Sequence, residues 1–230
     1  MSRASRVTEA ANRVLKQTAL LENPYFASLA NGTMPLPDFR STQEQFFFAV
    51  QNYARPIAAL ISRIPDPARR IDLLHNLVEE HGDFREESFH PNTFRKFLAS
   101  IGGRDPLAAG IPPCPAVLAF NSILIGVCGN DEVEVGVCCL GIIEQAFAGV
   151  SELIGRVVVE RGWVAAKDLV HYALHAELDV RHAEDFFAIV EASYDDRRGR
   201  AMIERGLGLG AFAFDQLYRN LMLKREAGYE

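Results

Sequence analysis

This 230-residue chain has no block of basic residues, no paired-cysteine motif and no strand-like alternation bounded by hairpin turns. Without a basic block, and with a net charge of −6, it lacks the electrostatic footprint expected of a nucleic-acid partner. Its four cysteines, Cys114, Cys128, Cys138 and Cys139, form no CxxC pair. Adjacent Cys138 and Cys139 would point about 100° apart on a helix, which excludes a thiolate-rich zinc site. The first 25 residues carry Arg3, Arg6, Glu9, Arg13, Lys16 and Glu22 and hold no apolar core segment of a secretory signal. The thiols therefore read as reduced, and the expected location is cytoplasmic. Pro106 to Asn130 is free of charge, but Pro112, Pro113, Pro115, Gly126 and Gly129 leave it at most about 15 residues of helix, where a membrane span wants about 20. A buried central helix is expected there, and no membrane partner.

What is present is an apolar chain, 49% hydrophobic and 23% charged, cut into helical lengths by turn signals. A first helix is expected from Ser5 to Glu22, ended by Asn23-Pro24, with Asn31-Gly32 and Pro35/Pro37 in the loop that follows. Asp38 reads as the N-cap of a long segment reaching Ile64, kinked at Pro56. Pro65-Asp66-Pro67 starts a third helix ending near Gly82, and a short one runs from His90-Pro91 to Ser100. The uncharged helix follows. Asn130-Asp131 then caps one reaching Gly155 or Gly162, Lys167 to Tyr194 is amphipathic, and a last helix spans Arg200 to Ala227. No repeat or long linker divides the chain. The expectation is an all-α protein, one domain over 1–230, with seven to eight helices in a bundle.

All six histidines fall in two windows, His75, His81 and His90, then His171, His175 and His182. In the second window, Asp179 lies about 40° from His175 around the helix and His182 about 20° to the other side. The three project from one stripe that continues into Phe186 and Ile189, the apolar side. Two imidazoles and a carboxylate aimed at a core are costly unless paired or metal-bound. A metal site is the sharper reading and a buried His–Asp hydrogen-bond network the plainer one. His171 lies near the same stripe, as an outer partner or a bystander.

Further ligands are available. Glu80 extends the inward stripe of Leu73 and Leu77, whereas Glu79, about 100° away, is expected to face solvent. His90 lies beyond the Gly82 turn and can fold back beside Glu80. Glu144 is the one charged residue between Glu134 and Glu152, and a lone carboxylate in an apolar helix calls for a cation or a proton. Three carboxylates and three imidazoles suit iron or manganese. No Glu-x-x-His pair has both members inward, so a ferritin-type arrangement is not expected.

These motifs place a resemblance. Asn76-Leu-Val-Glu-Glu80-His-Gly82 with His90, then Glu144, then His175-x3-Asp179-x2-His182-Ala-Glu-Asp-Phe-Phe resemble the haem-oxygenase-like di-metal oxidases, as do Asn23-Pro-Tyr-Phe26 and Gln43-Glu-Gln-Phe46. That iron-containing branch shares its fold with thiaminase-type and pyrroloquinoline-quinone-synthase-type proteins. The resemblance implies a haem-oxygenase-like helical bundle and two Fe(II) per chain, with manganese as a substitute. Glu80, His90 and ligands on the His182 side would hold one metal, His175 and Asp179 the other, and Glu144 would bridge or approach both. It further implies O2 as co-substrate and oxidation of a small amine, amino acid or fatty acid. The branch that makes p-aminobenzoate from its own side chains needs a Tyr and a Lys near the metals. This chain has Tyr25, Tyr53 and Tyr172, but of its lysines, Lys16, Lys96, Lys167 and Lys224, none follows Glu144 on its own helix.

Two other readings stay open at this point. One is a thiaminase-like hydrolase using Cys138 or Cys139 as nucleophile, although the apolar flanks disfavour a thiolate. The other is a catalytically silent binding or scaffold protein. Phe46, Phe47, Phe48 and Tyr53 serve equally as an aromatic pocket wall or as core. A small-molecule substrate is the expected partner, and a homodimer is compatible with the chain.

Overall fold

Residues 5–223 are described by the computed structural model, and among them every regular element is helical. Among the described residues nine α-helices form, rather than seven or eight: α1 (Arg6–Thr18), α2 (Pro24–Ala30), α3 (Leu36–Ile61), α4 (Ile71–Glu80), α5 (His90–Ser100), α6 (Pro115–Asn130), α7 (Val133–Glu160), α8 (Val170–Val190) and α9 (Arg197–Leu223). The extra element is α2. Asn23-Pro24 does not end the first helix; it begins the second, because the Asn23 side chain accepts from the amides of Tyr25 and Phe26 and Pro24 occupies the first turn. Asp38 is likewise not an N-cap. The long helix starts at Leu36, and Asp38 sits in its first turn, where a negative charge favours the helix dipole. Pro56 lies inside that helix without ending it. The expected end of the last helix, Ala227, lies outside the described residues.

One hydrophobic core joins all nine helices, and α7 runs through it. This helix packs on α8 and α9, while α3 packs on α5 and α6 and α4 leans on α8. By length and composition α7 could cross a membrane, but 72% of its apolar window is buried in the protein, so the core already accounts for its apolarity.

Two glycines set the distances that matter for the site. Gly82 has φ +55, and a Cβ there would stand 2.4 Å from the Ser88 carbonyl carbon. Only glycine permits the chain to double back at that point, which returns the start of α5 to the end of α4. Gly141 is on α7, one turn before Glu144. A Cβ there would stand 2.7 Å from Phe187 and 2.9 Å from Phe186 on α8. Its absence lets the two helices meet backbone to side chain.

Candidate metal centre

The six residues singled out in the sequence come together, on four helices. Glu80 ends α4, His90 opens α5, Glu144 is midway along α7, and His175, Asp179 and His182 form one stripe on α8. None is more than 6% exposed. Contacts link them: His90 Nδ1 to Glu80 Oε1 at 3.0 Å, His175 Nδ1 to Asp179 Oδ1 at 2.8 Å, and His182 Nδ1 to Glu144 Oε2 at 3.7 Å and Asp179 Oδ1 at 3.9 Å. Glu80, Glu144 and His182 each present a ligand atom within 4.8 Å of the others.

Burying this many polar groups is expensive unless each is paired. Here several are not. Glu144 Oε1, His175 Nε2, Asp179 Oδ2 and His182 Nδ1 are buried without a hydrogen-bond partner. Protons partly compensate the charge. Burial, and then repulsion from Glu144, holds the Asp179 carboxyl well above the usual range. Burial alone would lower His182, but Glu144 and Glu79 outweigh it and raise the imidazole to about 10. His175 is pushed down to about 3, by burial and by His90. Between Glu80 and His90 burial again opposes charge and loses: the carboxyl is lowered and the imidazole raised by their contact. Orphaned oxygens and ring nitrogens, three carboxylates and three imidazoles together fit a divalent cation of the iron or manganese type.

Glu79 is the residue that sequence reasoning misplaced. It does not face solvent; its side chain is 26% exposed, and its Oε2 lies 2.7 Å from His182 Nε2 while Arg181 holds the other oxygen. Burial would raise this carboxyl, but His182 and Arg181 outweigh that and lower it, so it stays an acceptor. His182 Nε2–H therefore donates to Glu79, which aims Nδ1 at Glu144 and Asp179. A carboxylate of this kind fixes the tautomer and raises the basicity of a ligating histidine. Glu79→Gln is expected to weaken metal affinity about 10–100-fold, with the helical circular dichroism unchanged. Wild-type affinity in a competition titration would return Glu79 to an ordinary surface role. The sequence held one hint, since Arg181 and His182 are adjacent and both suit a carboxylate.

Beside the cluster lies a partly open cavity lined by Glu80, His90, Glu144 and His175 together with Phe46, Tyr53, Phe120, Phe147 and Phe214. Phe46 and Tyr53 thus serve as wall, whereas Phe47 and Phe48 pack in the core. Cys138 and Cys139 are fully buried, burial raises both thiols, and neither lines the cavity. His171 is buried on the wall and bonds Thr93.

Comparison with known proteins gives the family and the fold. A family model described as iron-containing redox enzyme matches residues 40–213. A 4-aminobenzoate synthase of Chlamydia muridarum is 23% identical over 185 residues, covering 80% of this chain and 77% of its own. Its counterpart in Chlamydia trachomatis is 21% identical, covering 80% and 78%. Among solved structures, a domain of unknown function with a haem oxygenase-like fold from Shewanella denitrificans superposes with a TM-score of 0.80 at 12% identity, covering 97% of this chain and 95% of its own. A TenA homologue from P. horikoshii gives 0.72 at 16% identity, covering 94% and 97%. These likenesses show the fold as haem-oxygenase-like.

Proposed function

The chain belongs to the iron-containing redox enzymes, and from that premise we propose that it is a non-haem di-iron oxidase acting with O2 on a small organic substrate. It is an oxidoreductase that uses iron. The finer reading rests on one observation above all: six buried donors on four helices, with unpartnered oxygens and ring nitrogens among them. Glu80, His90, Glu144, His175, Asp179 and His182 would hold the metal, with Glu144 central because it alone comes from the core of α7. Ferrous iron, when bound, supplies the electrons and open coordination positions through which O2 is reduced.

The chain's own residues do the rest. Glu79 keeps the proton on His182 Nε2 and leaves Nδ1 to ligate. The phenylalanines of the cavity exclude water and seat an apolar body against the cluster. The relatives named 4-aminobenzoate synthase do not fix this chain's substrate. Among the described residues no lysine lines the cavity, and Lys96 is tied to the Glu87 carbonyl outside it. This supports a substrate taken from solution over an amino group taken from the chain's own lysine.

Anaerobic titration with Fe(II), or Mn(II) in its place, tests the proposal. Uptake should reach one to two equivalents on the donor count above. Asp179→Ala and His182→Ala should each lower it without loss of helix. Because His182, raised to about 10, carries an extra proton at neutral pH when no cation is present, and burial favours the neutral form of Asp179, binding must work against those protons and expel the one on His182. Affinity should therefore rise with pH, and uptake should acidify a weakly buffered solution. Full metal content in both variants, or uptake without proton release, would show the ligands to be elsewhere.

A further inference from the structure

Two polar side chains on the cavity wall lie outside the six candidate donors, Tyr53, whose hydroxyl bonds the Leu140 carbonyl, and His171. His171 on α8 is fully buried and on the wall, yet it makes none of the short carboxylate–imidazole contacts that link the six donors. Its Nδ1 lies 3.0 Å from Thr93 Oγ1, and that same hydroxyl lies 2.9 Å from the His90 carbonyl oxygen. A hydroxyl has one hydrogen and a carbonyl oxygen can only accept, so the Thr93 O–H donates to His90. Thr93 Oγ1 then accepts from His171 Nδ1–H. The tautomer is thereby fixed, with Nε2 left as a bare lone pair that is buried and has no partner. His171 lines the cavity and Thr93 does not, so with Nδ1 bonded to Thr93 it is the remainder of the ring that borders the cavity.

The surroundings narrow what could pair with that atom. Phe46, Phe120, Phe147 and Phe214 line the space, and among the described residues neither Arg nor Lys lines it to hold an anion. We propose that His171 Nε2 is the docking acceptor for the substrate, taking one O–H or N–H hydrogen bond from a neutral aromatic alcohol or amine and turning its body toward Glu144 and His175. The ring centroids of His171 and His175 are 4.3 Å apart, so a donor held there places the adjoining carbon next to the cluster. This deepens the reading of the cavity as the substrate site.

Three aromatics of one size separate a donor from a mere oxygen: para-fluorobenzyl alcohol, the ether para-fluoroanisole, and para-fluoroethylbenzene. Binding to the full-length protein, with its metal content measured, is followed by fluorine NMR. The alcohol should bind best. In His171→Phe its advantage over ethylbenzene should fall about tenfold, since one hydrogen bond to a buried group is lost. Thr93→Val, which frees the tautomer and leaves the ring, should reduce the advantage in part. Histidine-nitrogen NMR of the wild type needs no substitution. Nε2 of His171 should carry the signature of an unprotonated ring nitrogen and move on adding the alcohol but not the ether. A protonated Nε2 at the outset, an ether that binds as the alcohol does, no binding of any of the three, or an unchanged advantage in His171→Phe overturns the proposal. If the chain takes up no metal while the alcohol preference depends on His171, the di-iron reading falls and the docking role stands. The opposite pair of results sinks the docking role alone.

Discussion

Glu144→Ala protein, loaded anaerobically with ferrous iron, should consume O2 at least about 100-fold more slowly than wild type, since even outer partners of metal sites are worth 10–100-fold. Glu144 is buried in the middle of α7, 3.7 Å from His182, with one oxygen unpartnered. Its negative charge also raises both the Asp179 carboxyl and the His182 imidazole in the absence of metal. Its removal should therefore have opposite consequences in the two states. Metal-free protein loses a repulsion as well as an ion pair, and its melting temperature should change little. Metal-loaded protein loses a ligand, and the rise in melting temperature that Fe(II) or Mn(II) gives the wild type should shrink or vanish. Residual binding of up to one equivalent is compatible with the remaining donors. Wild-type O2 consumption in this variant would remove Glu144 from the chemistry and with it the two-metal reading, although a one-metal enzyme would survive.

Gly141→Leu should be the most destabilising single change near the site, by about 3 kcal/mol. Even a methyl group at this position meets Phe187 at 2.7 Å and Phe186 at 2.9 Å, and the Phe186 contact is to Cβ, which no side-chain rotation moves away. A leucine must push α8 off α7. For a chain of this length the loss corresponds to a fall of roughly 6–12 °C in melting temperature. The displacement would also draw His182 from Glu144, so metal uptake should fall in the protein that remains folded. Calorimetry with metal analysis decides it: a melting temperature within about 2 °C of wild type, with metal retained, would mean that the two helices tolerate separation.

The α8 stripe was legible because His175, Asp179 and His182 share one helix, where spacing converts directly to direction. Glu144 was legible by contrast, as a single charge among apolar residues. Glu80 and His90 needed only the Gly82 turn between them, and φ at that glycine is indeed positive. Glu79 was misplaced because a helical projection gives an angle and says nothing of what stands there; its partner is 103 positions away. Helix α2 was missed for a related reason. A proline can stand just beyond one helix or at the first turn of the next, and seven residues of Pro24–Ala30 are too few for periodicity to decide. The cavity wall was the least legible part. Phe120, Phe147 and Phe214 come from three helices, and nothing in the sequence distinguishes an aromatic lining a space from one filling the core.

The donors' distribution over four helices bears on how the enzyme acquires its metal during synthesis. Glu80 and His90 leave the ribosome long before the α8 stripe, and α4 meets α8 only after α5, α6 and α7 have been made and packed. A nascent or truncated chain ending before α8 would offer iron no more than a fragment of the set, too weak to compete with ordinary cellular chelators. On the proposed donor set, metallation would follow the docking of α8 and would report that α4, α5, α7 and α8 have come together.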